Sequence, residues 1–147
     1  MHVSYKGDYA IKTILDLAAH WGEEPVTIQE LARRSDIPTK FLEQILLALK
    51  RGEFVKSRRG KEGGYLLARH PSSISLGEVM RFIDGPIEPL ACVNADYKGC
   101  DDIGGCVLRG VWARVADATA RIVDSVTFES LVDQHRRARG TAADYQI

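Results

Sequence analysis

The sequence predicts a mainly α fold with one small two-stranded β-hairpin, and three observations predict it. Apolar residues recur at helical spacing in six stretches. Two capping boxes, Thr27-Ile28-Gln29-Glu30 and Ser75-Leu76-Gly77-Glu78, mark helix starts. Two short runs of strand-forming residues flank the glycine-rich turn Arg59-Gly60-Lys61-Glu62-Gly63-Gly64.

Each element follows from local signals. Tyr9, Ala10, Ile14, Leu17, Ala18 and Trp21 predict a helix over 8–21, stopped by Gly22 with Pro25 beyond. Thr27 opens a second helix that runs to about Ser35. Asp36-Ile37-Pro38 makes a short break. A third helix starts near Thr39, with Phe41, Leu42, Ile45, Leu46 and Leu49 as its apolar face, and ends at Gly52. Residues 54–58 and 65–68 read as the two strands, joined by glycines that permit positive φ. Pro71 interrupts the chain, and Ser75 caps a helix that Gly85-Pro86 ends. Residues 86–106 show little periodicity. Val107, Leu108, Val111, Trp112, Val115, Ala118, Ile122 and Val123 predict a long helix over 107–124 with a broad apolar face. A last helix starts near Thr127, and the tail frays from about Gly140.

Composition sets the class. The 147 residues fit one domain, or one domain with an added oligomerisation segment. Hydrophobic residues make up 45% and charged residues 27%, as in ordinary globular chains. No apolar run approaches the roughly 18–20 residues of a membrane span. The N-terminal residues have no signal-peptide core, so the expected location is the cytoplasm. Catalysis is not expected: no Ser/His/Asp set or paired acids stand out. Gly60 to Gly64 is no P-loop, since no Lys-Ser/Thr pair opens a helix after it.

Net charge is zero, but the charges are segregated. Residues 50–61 carry six basic side chains and one acid, whereas residues 84–106 carry five acids and one lysine. The order helix, helix, tight break, helix, hairpin is that of a winged helix-turn-helix, and the basic run falls on its hairpin. The third helix would enter the major groove of double-stranded DNA with Thr39, Lys40, Glu43 and Gln44 toward the bases. Glu43 faces a polyanion there, where it can accept from a cytosine amine and repel elsewhere. The plainer role for Glu43 is a surface pair with Lys40 or Lys50. On the wing, Arg58, Arg59 and Lys61 would meet phosphates or a narrow minor groove, and Gly60 allows close backbone approach.

Cys92, Cys100 and Cys106 form C-x7-C-x5-C in a polar, glycine-bearing segment. An odd count rules out a closed disulfide framework. The spacing fits neither a zinc ribbon nor a ferredoxin run. On spacing alone, an iron–sulfur cluster, a zinc site and redox or incidental thiols all stay open.

Arg59-Gly60-x-x-Gly63-Gly64-Tyr65-x-Leu67, Pro71-x-x-Ile74-x-x-Gly77-Glu78-Val79 and Asp84-Gly85-Pro86 resemble the Rrf2 family of bacterial regulators. Lys6-Gly7-x-Tyr9-Ala10 and Phe41-Leu42-Glu43-Gln44 match as well, and the resemblance covers about residues 1–135. It implies a homodimeric repressor on a pseudo-palindromic operator. It implies DNA contacts by Thr39, Lys40, Glu43, Gln44 and Arg59, with 107–124 as the dimerisation helix. Cluster-binding members carry three cysteines in this loop, so the resemblance implies an iron–sulfur cluster, 2Fe–2S or 4Fe–4S, on Cys92, Cys100 and Cys106. Such a chain senses redox state, nitric oxide or iron status. The position three residues after the last cysteine, a histidine in some members, is Arg109 here and cannot ligate iron. Another branch uses a carboxylate near the N-terminus from across the dimer, and Asp8 matches that place. Asp8 is equally a helix N-terminal acid favoured by the macrodipole, and Asp101 and Asp102 lie nearer in sequence. The alternative within the family is a cluster-free regulator controlled by thiol oxidation or a protein partner. The expected organisation is a winged helix-turn-helix domain over 1–85, a sensor loop over 86–106, the dimerisation and C-terminal helices over 107–138, and a tail over 139–147.

Overall fold

The computed structural model describes residues 1–144, with side chains to residue 141. Six α-helices and one hairpin follow in the order α1 (Tyr5–Ala19), α2 (Ile28–Ser35), α3 (Thr39–Arg51), β1 (Val55–Arg58), β2 (Gly64–Leu67), α4 (Leu76–Asp84), α5 (Val107–Ser125) and α6 (Phe128–Asp144). Single 3-10 turns lie at Pro71–Ser73 and Ala91–Val93. Among the described residues no helix is long and apolar enough to cross a membrane.

The helix starts are set by side-chain caps. Thr27 Oγ1 accepts from Glu30 N at 3.2 Å, and Ser75 Oγ accepts from Glu78 N at 3.1 Å. Only this half of each capping box forms. The Glu30 carboxylate accepts from Arg33 instead, and the Glu78 carboxylate from Arg69. A guanidinium is the stronger donor, so it draws each acid away from the cap. The first helix begins three residues earlier than its periodicity suggests. Ser4 caps it by accepting from Gly7 N at 2.9 Å, and Ser4 donates in turn to the Asp84 carboxylate at the end of α4. That cap has no acid at its third position, which hides it in the sequence. Trp21 lies past the end of α1, half exposed, with its ring edge-on to His70 at 5.3 Å.

Asp36 ends α2 in the left-handed conformation (φ 52, ψ 45), which turns the chain into α3 within three residues. The hairpin pairs Val55 with Leu67 and Arg58 with Gly64 in antiparallel register. Val26 adds a bridge to Tyr65, with backbone bonds of 2.9 and 2.8 Å, so the connection before α2 lies along the free edge of β2. A side chain at Gly64 would put its Cβ 2.5 Å from the Val26 carbonyl oxygen, so only glycine allows this approach.

One core holds the body together. Ala10, Ile14 and Leu17 of α1 meet Leu31, Leu42, Ile45, Leu46, Leu49, Phe54, Leu67, Ile74 and Val79. Phe128 and Val132 of α6 belong to the same core. The sequence reading groups α6 with α5, but the structure packs it on α1, because its two buried apolar residues point there. Phe41, expected on the buried face of α3, is exposed. Leu42, Ile45, Leu46 and Leu49 already fill that face, and Phe41 falls outside its arc. The fraying expected from Gly140 is not seen, since α6 continues to Asp144. The rest of the expected tail, 145–147, lies outside the described residues.

α5 stands apart. Of its 19 residues only Ala116 and Val123 are buried. Val123 joins a small second cluster with Met80 and Ile87, against Ile11 and Leu76. Arg81 of α4 grips Asp124 with both terminal nitrogens, at 2.6 and 2.9 Å.

Candidate nucleic-acid interface and thiol loop

The break at Asp36 to Pro38 and the buried face of α3 leave Thr39, Lys40, Glu43 and Gln44 exposed together on the opposite side of that helix. Among the described residues Glu43 forms no ion pair with Lys40 or Lys50. Its carboxylate is therefore available to a partner outside the chain. Lys50 instead donates to Ser57 Oγ at 2.7 Å, fastening the last turn of α3 to β1. This bond adds an exposed polar contact between α3 and the first strand of the hairpin. Nothing in the sequence marks it beyond the presence of Lys50 in the basic run.

On the wing Arg58, Arg59, Gly60 and Lys61 are all exposed. Gly60 adopts φ +116, and its carbonyl accepts from Gly63 N at 3.0 Å, which closes the tip. Arg58 leans back from the sheet toward Glu24, at 3.4 Å, in the connection that runs along β2. Both side chains are well exposed, so this pair is weak and easily exchanged for a phosphate. The arrangement is a helix face bearing Thr39, Lys40, Glu43 and Gln44 beside a cationic loop, both carried on one core.

The three cysteines are free thiols. Cys92 lies half-buried in the 3-10 turn at 91–93, Cys100 is exposed, and Cys106 is half-buried at the N-cap just before α5. Arg109, which cannot ligate iron, has another task. Its Nε donates to the Cys92 carbonyl at 2.7 Å and ties the first cysteine to the first turn of α5. Asp8 sits on α1 with its carboxylate 2.6 Å from Lys12 Nζ. That hydrogen bond raises the Lys12 ammonium above its ordinary value. Three thiols in 15 residues are the donor chemistry an iron–sulfur cluster takes. Within one chain, however, the described residues bring no three His, Cys, Asp or Glu side chains together as a metal site. The donor set fits in kind and number of thiols, and its gathering requires residues 86–106 to close.

The comparisons with known proteins agree with this layout. The Rrf2 family model, described as an iron-dependent transcriptional regulator, matches residues 3–134. An HTH-type transcriptional regulator of Rhodobacter capsulatus described as rrf2-like is 39% identical over 137 residues, covering 88% of this chain and 91% of that protein. The structure of CymR, named the global cysteine regulator of B. subtilis, superposes with a TM-score of 0.77 at 32% identity, covering 91% of this chain and 98% of CymR. IscR of T. potens superposes with a TM-score of 0.76 at 32% identity, covering 94% and 90%. The relatives are named as transcriptional regulators and not as enzymes. The chain is a winged-helix, DNA-binding transcription regulator and belongs to the Rrf2 family.

Proposed function

We propose that this regulator is a homodimeric repressor of a pseudo-palindromic operator, and that an iron–sulfur cluster on Cys92, Cys100 and Cys106 sets its operator affinity. The observation that carries this reading is the placing of three free thiols on one loop bracketed by α4 and α5. Thr39, Lys40, Glu43 and Gln44 would meet base edges, while Arg58, Arg59, Gly60 and Lys61 would meet the backbone and minor groove. The dimer contact would be the exposed apolar stripe of α5, since a C2 pair of such helices buries what one chain leaves wet.

When bound, the cluster supplies a centre that reacts with oxidants or nitric oxide and is lost under iron limitation. The protein supplies the coupling. Residues 86–106 start at the end of α4 and finish at the first turn of α5, where Arg109 holds Cys92. Drawing the three thiols together would reorder this loop between two helices that bear on the body and on the dimer contact. Operator affinity then differs between open and closed loops by the coupling free energy. Asp8 of a second protomer is the proposed fourth ligand. A carboxylate is a hard, readily displaced donor, suited to a labile site.

A cluster-free regulator controlled by thiol oxidation or a protein partner is the second reading, in keeping with the described residues of one chain grouping no three His, Cys, Asp or Glu side chains as a metal site. Anaerobic purification with iron and acid-labile sulfide assays separates the two. The expected result is broad absorption at about 300–450 nm with matched iron and sulfide. In a reporter strain, Cys100→Ala is expected to abolish the response to oxidants, nitric oxide or iron limitation. A colourless protein, still iron-free after reconstitution, would overturn the cluster reading.

A further inference from the structure

The centre of the exposed face of α3 is not polar. Leu47 is 53% exposed there, one turn after Glu43 and Gln44 and one turn before Lys50 and Arg51, all of them exposed. At 100° per residue, the buried face is taken by Leu42, Ile45, Leu46 and Leu49, and Leu47 points away from it. Isolated exposed leucines are ordinary on protein surfaces and carry no message by themselves. This one lies in the middle of the face a helix-turn-helix presents to the major groove, where every base pair containing thymine offers a methyl group.

We infer that Leu47 is a specificity-determining residue that reads a thymine methyl in the operator. The inference rests on the operator-binding reading above and adds a residue to it. The chemistry is apolar contact. A major groove lined with amines, carbonyls and ring nitrogens gives a leucine one favourable partner, the C5 methyl of thymine. Against cytosine the C5 methyl is replaced by a hydrogen, so the side chain loses that contact and crowds the neighbouring N4 amine. Leu47 is four residues from Glu43, about 6 Å further along the helix at 1.5 Å per residue. That is just under two base steps of about 3.4 Å. The thymine is therefore expected within two base pairs of the position that Glu43 restricts. The polar residues around Leu47 fix the helix in register, and the leucine discriminates within that register.

The test uses the full chain and two pools. Wild type and Leu47→Ser select from random double-stranded DNA, and the selected 30-base-pair duplexes are then remade with deoxyuridine in place of each thymine in turn. Uracil keeps the base pair and removes only the methyl. Wild type is expected to lose about three- to fivefold affinity at one thymine per half-site, the size of one buried methyl. Leu47→Ser is expected to bind the thymine duplex that much more weakly and to be indifferent to uracil at that position. Its selected pool is expected to show no base preference there. Because Leu47 is about half exposed and outside the core, the variant should melt within a few degrees of wild type, the difference reflecting the lower helix propensity of serine. An equal uracil penalty in both proteins, or an affinity loss in Leu47→Ser that is the same on both duplexes, would overturn the inference and leave operator binding intact. Failure of the wild type to enrich any sequence would overturn the operator reading itself, and Leu47's role with it.

Discussion

The body of the protein and its long helix α5 obey the same physics to opposite ends. The main core draws on α1, α2, α3, α6, the hairpin and α4, and none of its buried members comes from residues 80–127. Over the same chain α5 leaves Val107, Leu108, Val111, Val115 and Ile122 in water. The steps 108, 111, 115 and 122 keep to one face in a three-and-four spacing, the pattern of a helix seam awaiting another helix. One region buries most of its large apolar residues, with Phe41 and Leu47 among the exceptions, and the other leaves most of its own exposed. The lesson is that the body packs α3 and the hairpin on one core of its own, whereas α5 carries an apolar stripe that its own chain leaves uncovered.

The largest test of that contrast is in the body. Phe128 is fully buried in the main core although it lies after α5 in sequence. Phe128→Ala is expected to cost about 3–5 kcal/mol, the usual range for removing a buried aromatic ring. Urea unfolding measures it directly. A loss under about 1 kcal/mol would show that α6 is not part of the body's core, and the two regions would have to be redrawn.

The second test is on α5, and there the effect falls on association. Val115→Asp with Ile122→Asp puts two charges on the exposed seam and touches nothing buried in the single chain. Sedimentation velocity is expected to show a monomer, with operator affinity reduced about tenfold to a hundredfold. One recognition helix then reaches only one half-site. The body's unfolding is expected to change little at protein concentrations where both forms are monomeric. A variant that stays dimeric would move the dimer contact away from this seam.

The sequence makes the body far more legible than α5 and its loop, for a physical reason. Periodicity reports which residues leave water, and capping residues report where helices begin. Leu42, Ile45, Leu46 and Leu49, Thr27 and Ser75 therefore stand where the sequence predicts them. Phe41 and Trp21 mislead because hydrophobicity alone does not say which apolar residue is left over once a face is full. The Val26–Tyr65 bridge, the Lys50–Ser57 bond and the Arg109–Cys92 bond are single long-range contacts with no periodic signature. The three cysteines are legible by count and by their place in a family, but their mutual geometry is not. It depends on a loop with little periodicity and few regular elements, which composition and spacing do not place.

The smallest effect is expected where the two regions touch. Arg81 and Asp124 join α4 to α5 through a two-pronged ion pair, both side chains partly exposed. The hydrogen bond from Arg81 holds the Asp124 carboxyl below the ordinary carboxylate range, and that from Asp124 raises the Arg81 guanidinium further above its own. A carboxylate whose pKa is lower folded than unfolded stabilises the fold fully above its unfolded value, near 4, and loses that contribution as pH falls through the lowered folded value. Asp124→Asn is therefore expected to cost about 0.5–1 kcal/mol at neutral pH, after allowance for solvent screening of an exposed pair. The gap from wild type should hold steady between about pH 5 and 8 and close as pH drops below about 4. Urea unfolding of both proteins across that range reads the gap. If it persists undiminished in acid, the contact holds α5 through shape and packing rather than charge. The junction would then join the body's apolar core in kind, and the contrast between the two regions would soften at the ion pair that links them.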